Sequence, residues 1–301
     1  MRPAGLLVVT GIAVVLAIQD AATLDAQGSA TRRTYDTGQA TVPAYEGWEQ
    51  NPDGSFSLVF GTMNRNWEEE QHIPIGPDNN IEPGGPDHGQ PTHFLPRRNR
   101  FLFRIRVPAD FGDQEVVWTL TSNGKTKRAY GTLLPDYYID DGVLMANNGA
   151  GISGDLHDNM APVLTLEGAH TRSVKAGTPV VLKAAARDED GLPKPKPMRA
   201  IDPARPSNTT PNAATGLRLS WFVYRGAGGV TFDPPQIKVW EDTRPQSNSP
   251  WGPGWRTPPV PLDNTWVVRA TFSEPGTYVL RCQAHDGGLT THEDVTFEVT
   301  R

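Results

Sequence analysis

Three stretches of the 301-residue chain carry side chains whose types and spacing suit chemistry. In the first, Glu68, Glu69, Glu70 and His72 crowd together, and His88 and His93 follow at a spacing of five. Carboxylates and imidazoles so close in sequence suit a transition metal or acid–base work. No H-E-x-x-H or H-x-H spacing is present, so the plainer reading is a solvated loop with scattered histidines. In the second, Trp240, Trp251 and Trp255 stand among eight prolines between residues 232 and 264. Stiff loops bearing indoles suit sugar faces, Pro-rich peptides or protein partners, because rigid aromatics lose little entropy on binding. The alternative is a loop folded back with its Trp covering a core. In the third, Arg97, Arg98, Arg100, Arg104 and Arg106 fall within ten residues and would suit a polyanion unless neighbouring acids balance them. No G-x-S-x-G elbow, P-loop or G-x-G-x-x-G occurs, which lowers the odds of an enzyme.

Composition limits what holds these residues. The chain has 30 Gly and 28 Pro, about a fifth of its length, against about 12% in ordinary proteins. That excess argues against helical bundles and coiled coils. One Cys excludes an internal disulfide, and a net charge of -6 argues against a nucleic-acid protein as a whole. After Arg2, residues 6–18 form an apolar run interrupted only by Thr10 and Gly11. The run is too short for a membrane-crossing helix, which needs about 20 residues, and fits a secretory leader. An uncleaved anchor is the alternative.

The rest alternates with a period of two. Phe56, Leu58 and Phe60 form one face, and Phe101, Phe103, Ile105 and Val107 another, with Arg104 and Arg106 opposite. Val116, Trp118 and Leu120 follow, and Asn123-Gly124 marks a hairpin turn. Between residues 64 and 99 no helix of ordinary length fits, so that segment is expected as a functional or disordered loop. Residues 141–160 have no core period and read as a linker. Beyond them Val180, Leu182 and Ala184, then Leu217, Leu219, Trp221 and Val223, then Trp266, Val268, Ala270 and Phe272, continue the pattern. Tyr278, Leu280, Cys282 and Ala284 precede a last strand with Val295, Phe297 and Val299. Cys282 shares a core face and reads as a small buried hydrophobe. An Asn208-Thr209-Thr210 glycosylation sequon matters only in a eukaryotic host.

Four pieces of residues 161–301 stand in a telling order. They are Asp188-Glu189-Asp190-Gly191, Trp221 in a central strand, Pro275-Gly276-Thr277-Tyr278, and Asp286-Gly287-Gly288. In this order they resemble a PKD-type or related Ig-like extracellular domain. The resemblance implies a β-sandwich used as a spacer or interaction module, with Asp286 near the acidic turn. Asp188, Asp190 and Asp286 would then offer hard oxygen ligands for Ca²⁺, although the later bidentate Glu of a calcium-binding loop is missing. The alternative is a solvated turn capped by its own Asp side chains. Residues 44–140 resemble no family.

The expectation is therefore an all-β protein: a signal peptide over 1–30, a linker over 31–43, a β-sandwich over 44–140, a linker over 141–160 and a PKD/Ig-like sandwich over 161–301. The expected role is a secreted, periplasmic or cell-envelope binding or adhesion module. It would be non-catalytic and would recognise a carbohydrate or an extracellular protein. No nucleic-acid partner, no membrane span in the mature chain and no cofactor other than a possible Ca²⁺ is expected. The alternatives are a metal-binding protein or enzyme with a site in the 64–99 loop, and a structural envelope component.

Overall fold

The computed structural model describes residues 35–151, 154–198 and 212–301. The expected leader, residues 31–34 of the first expected linker and the sequon lie outside the described residues. No helix among them is long and apolar enough to cross a membrane.

The first half is a sandwich of short strands: β1 (Thr41–Gln50), β2 (Phe56–Asn64), β3 (Gln71–His72), β4 (Asn79–Glu82), β5 (His93–Phe94), β6 (Arg97–Val107), β7 (Val116–Ser122) and β8 (Lys125–Gly131). One sheet runs β1-β2-β6, a second runs β4-β7-β8, and β3 pairs with β5. The turn at 51–55 and the Asn123-Gly124 turn close the two expected hairpins. Both residues of the second turn have positive φ, as that turn type requires. Leu58, Phe60, Phe103, Ile105 and Trp118 form the core. The Trp118 indole stands edge-on to Phe60 and Phe103, the favoured quadrupole geometry.

Strand β1 begins at Thr41, so the end of the segment expected as a linker is part of this sheet. The 64–99 segment is ordered, and its own amides order it. Asn64, Asn66, Asn79 and Gln90 are fully buried. Asn79 donates to the carbonyls of Ile73 and Pro91, Asn64 to those of Glu69 and Phe94, and Asn66 to that of Gln39. Side-chain amides here supply the partners that a strand ladder would otherwise give the backbone. A polar, Pro-rich segment therefore packs with little regular structure beyond the short strands β3, β4 and β5.

Residues 141–160, expected as a linker, instead contain a helix, α1 (Asp141–Asn148). Asp140 caps it by accepting from the Val143 amide at 2.9 Å, and Gly149 ends it at φ 96°. At eight residues it shows too little period to be read from sequence. It is held by packing: Leu144 and Met145 cluster with Val59, Ile139 and Leu289.

The second half comprises β9 (Val163–Leu166), β10 (Thr171–Lys175), β11 (Val180–Arg187), β12 (Arg218–Arg225), β13 (Val230–Asp233), β14 (Thr265–Phe272), β15 (Gly276–His285) and β16 (Thr290–Thr300). Its sheets run β13-β14-β11-β9 and β10-β16-β15-β12, with β10 parallel to β16. The two sheets pack face to face as a β-sandwich. Trp221 on β12 lies buried in its core with Leu182, Phe272, Leu280 and Cys282, and burial raises the Cys282 thiol pKa. The Tyr278 hydroxyl donates to the Glu274 carbonyl at 3.1 Å, forming a tyrosine corner. Tyr278→Phe should cost about 1 kcal/mol, read as a lower urea midpoint with an unchanged slope.

Residues 35–301 form one compact unit, because the sandwiches are joined along a seam. The Thr92 amide donates to the Tyr224 carbonyl, the Tyr224 hydroxyl to the Gly89 carbonyl at 2.6 Å, and Arg225 makes two bonds to Asp87. Arg281 stacks 3.6 Å from the Tyr224 ring centroid, forks onto Asp294 and donates to the Leu102 carbonyl at 2.6 Å.

Candidate binding groove

The seam leaves a groove of about 600 Å³ on one side. Three local structures build it. The end of β1 supplies Glu49 and Gln50, followed by Asn51. A 3-10 turn over Pro135–Tyr137 then brings Tyr138 against Trp48. The Trp48 indole donates to the Leu134 carbonyl at 2.8 Å, and the Ile139 amide donates to the Trp48 carbonyl at 2.9 Å. The Trp48 and Tyr138 rings are 5.0 Å apart. These bonds hold Tyr138 at the groove with 52% of its surface exposed. The N-terminal end of α1 adds Asp140 and Asp141, and Leu289 and Thr290 of the second sandwich complete the wall.

Arg104 of β6 is bound to Glu49 through two N–H groups, at 2.7 and 2.8 Å. Burial raises the Asp141 carboxyl pKa, the Glu49 and Asp140 charges raise it further, and Arg104 opposes them. The groove is therefore lined by the carboxylates of Glu49, Asp140 and Asp141, one guanidinium, the Gln50 amide and the half-exposed Tyr138 ring, while the Asn51, Asn148 and Asn159 amides in its wall already donate to Ser55, Gly288 and Asp286.

Of the residues singled out in the sequence, Arg104 lines the groove; the others lie elsewhere, and most are apart. The three consecutive acids of the 64–99 segment have different partners: Glu68 pairs with Arg244, Glu69 accepts from the Gly38 amide, and Glu70 accepts from His93 Nε2 at 2.7 Å. His72 sits opposite His93 across the β3–β5 pair and bonds the Thr92 carbonyl through Nδ1. Burial and the nearby His93 lower its pKa. His88 lies at the 86–90 turn, its amide bonded to Gln90. Only Glu70 and His93 meet. Among the described residues no three His, Cys, Asp or Glu side chains are placed to hold a metal ion.

The acidic turn is capped by its own side chains. Asp188 accepts from the Gly191 amide, Asp190 from the Leu192 and Met160 amides, and the buried Asp286 from the Gly288 and Leu289 amides. Burial drives the Asp286 pKa up to about 6, with Asp188 adding to the shift. The basic row is neutralised: Arg98 pairs with Glu46, Arg100 with Glu241, Arg104 with Glu49 and Arg106 with Asp53. The Arg98–Glu46 bridge passes over Gly61 of β2, where a methyl group would collide with the Glu46 carboxylate and the Asn99 carbonyl.

The three indoles of the 232–264 segment are not displayed together. Trp251 is buried, and Trp240 packs beside Leu95, Phe222 and Tyr224. Trp255, half-buried, donates to Asn248. The segment folds over the outer face of β12, where Phe222 and Tyr224 need cover. Its Glu241 and Arg244 reach Arg100 and Glu68 of the first sandwich. Reasoning from sequence missed Tyr138 and Asp141. The available signal was the aromatic and acidic density of Tyr137-Tyr138-Ile139-Asp140-Asp141.

No family model and no curated protein matches the chain. Solved structures similar to parts of it include domains 4 and 5 of the S-layer protein SbsC, at 9% identity and TM-score 0.23, covering 63% of this chain and 66% of that one. The N-terminal eight Ig domains of Down syndrome cell adhesion molecule match at 10% identity and TM-score 0.24, covering 86% and 27%. The D00-D0 domain of intimin matches at 10% and TM-score 0.23, covering 86% and 99%. The chain thus spans just under two-thirds of the SbsC fragment and about a quarter of the adhesion-molecule chain. These scores place no residue of the groove.

Proposed function

We propose that the protein is a non-catalytic binding module of the cell envelope or extracellular space that holds a neutral glycan in the groove between its sandwiches. The observation that carries this reading is the half-exposed Tyr138 ring beside three carboxylates and the Gln50 amide in a groove of about 600 Å³. Sugar hydroxyls both donate and accept, so they match a wall of acceptors and an amide, while a sugar face stacks on an aromatic ring. A wall with more carboxylates than guanidinium groups disfavours anionic glycans. The short apolar run at 6–18 supports export through a secretory leader. The order of Trp221, the turn before Tyr278 and the tyrosine corner supports a PKD-type second sandwich.

Binding of the full chain to arrayed neutral and sulfated glycans tests the reading. The expected result is saturable retention of neutral glycans, recovered uncleaved, and weaker by about tenfold in Tyr138→Ala, or ~1.4 kcal/mol. Asp141→Asn should weaken it as well. Retention unchanged in both variants would refute the reading, as would exclusive retention of sulfated glycans.

A further inference from the structure

A second site lies on the outer face of the second sandwich, independent of the glycan reading. Arg218 and Ser220 of β12 and Gln283 and His285 of β15 point away from the core there, and the 232–264 segment lays Lys238 and Trp251 over them. The space has a lobe of about 10 Å³ lined by Arg218 and a second of about 40 Å³ that Arg218 does not line, and both are walled by Val239, Trp251, Gln283 and His285. A single water needs about 10–15 Å³, so the space admits waters or one small ion and excludes a sugar.

The donors around it are unusual. Arg218 is 5% exposed and Trp251 is 5% exposed, and neither Arg218 Nη2 nor Trp251 Nε1 has a hydrogen-bond partner. Arg218 gives Nη1 to the Ala214 and Gly216 carbonyls, and no carboxylate among the described residues pairs with it. Asp286 acts on it only through space. His285 stands opposite Arg218 in the strand pair and accepts from the Gly287 amide through Nδ1. Its neutral ring therefore carries its proton on Nε2. Burial and Arg218 keep that ring neutral, while the Arg218 pKa, lowered by burial to about 10, still leaves it charged at neutral pH. A buried guanidinium with an unsatisfied N–H costs several kcal/mol unless something compensates it.

We propose that this cavity binds one small oxyanion, held by Arg218 Nη2, Trp251 Nε1 and His285 Nε2. Its ligand class is a tetrahedral sulfate or phosphate or a planar short-chain carboxylate, since both offer several acceptors to convergent N–H donors. The anion would fasten the 232–264 segment to β12 and β15.

The test uses the full chain with sodium sulfate, phosphate or acetate, each against chloride at matched ionic strength. At least one oxyanion should raise the melting temperature saturably, by about 2 °C or more at tenfold excess over Kd. The same titration should move one indole N–H resonance, identified by its absence from Trp251→Phe, which keeps the ring and loses the donor. Trp251→Phe and Arg218→Leu should each lose most of the thermal response. A response to sulfate or phosphate alone assigns the tetrahedral class, and a response to acetate alone the carboxylate class. No oxyanion exceeding chloride would overturn the proposal. So would Trp251→Phe responding as the wild type does, and this arm stands even if Arg218→Leu fails to fold.

Discussion

Replacing Trp118 with Ala should destabilise the protein by about 4 kcal/mol or more, the largest effect of any single side chain in the first sandwich. Trp118 is fully buried, with Phe60, Phe94 and Phe103 rings around it. Truncating so large a core side chain costs about 3–5 kcal/mol through lost transfer energy and the remaining cavity. A second loss adds to this. Trp118 Nε1 donates to Asn79 Oδ1 at 3.0 Å, and the same Asn79 amide holds the Ile73 and Pro91 carbonyls. Without the indole, a buried acceptor is orphaned at the centre of the 64–99 segment. Trp118→Phe separates the contributions by keeping the aromatic bulk and losing only the donor. It should cost about 1–3 kcal/mol. Both variants should gain protease cleavage between residues 73 and 91 before global unfolding. Urea denaturation and limited proteolysis check this, and an Ala variant within 1 kcal/mol of the wild type would contradict it.

Arg281→Ala should cost about 3 kcal/mol and loosen the two sandwiches. Its guanidinium is 7% exposed and holds Asp294, the Leu102 carbonyl and the Tyr224 face together. Breaking a buried pair usually costs about 3–5 kcal/mol. The lower end applies because Asp294 is 36% exposed and regains hydration. Arg281→Lys should recover only part of the loss, since an ammonium cannot fork onto Asp294 and donate to Leu102 at once. Hydrogen exchange should quicken at the Thr92 and Gly226 amides, which bond across the seam. Unchanged protection there would show that the seam does not depend on Arg281.

The strands were legible because one face of each is apolar. The hairpins, Trp221, Tyr278 and Cys282 stand where alternation puts them. Alternation fails where both faces are covered. Val59 reads as outward, yet it is buried against α1 and Leu289. Phe101 reads as inward with Phe103, but a positive φ of 50° and a register shift turn it into that same cluster. On β12 the core face of Leu219, Trp221 and Val223 is only half of the pattern. Phe222 and Tyr224 are apolar on the other face, so something had to cover it. The Trp-rich segment is that cover, which is why Trp240 and Trp251 pack inward. The groove was hidden for a related reason. Its walls come from residues 49–51, Phe101 and Arg104, from positions between 138 and 148, and from residues 159–161 and 289–290, which no local spacing brings together. The Pro-rich 64–99 and 232–264 segments carry contacts that join the sandwiches.

The groove draws its walls from both sandwiches, and the seam bonds tie them, so the two halves should unfold together. Differential scanning calorimetry of the full chain tests this directly. The account predicts one transition over residues 35–301, with calorimetric and van't Hoff enthalpies equal, in the wild type. Two separable transitions, one for each sandwich, would contradict it.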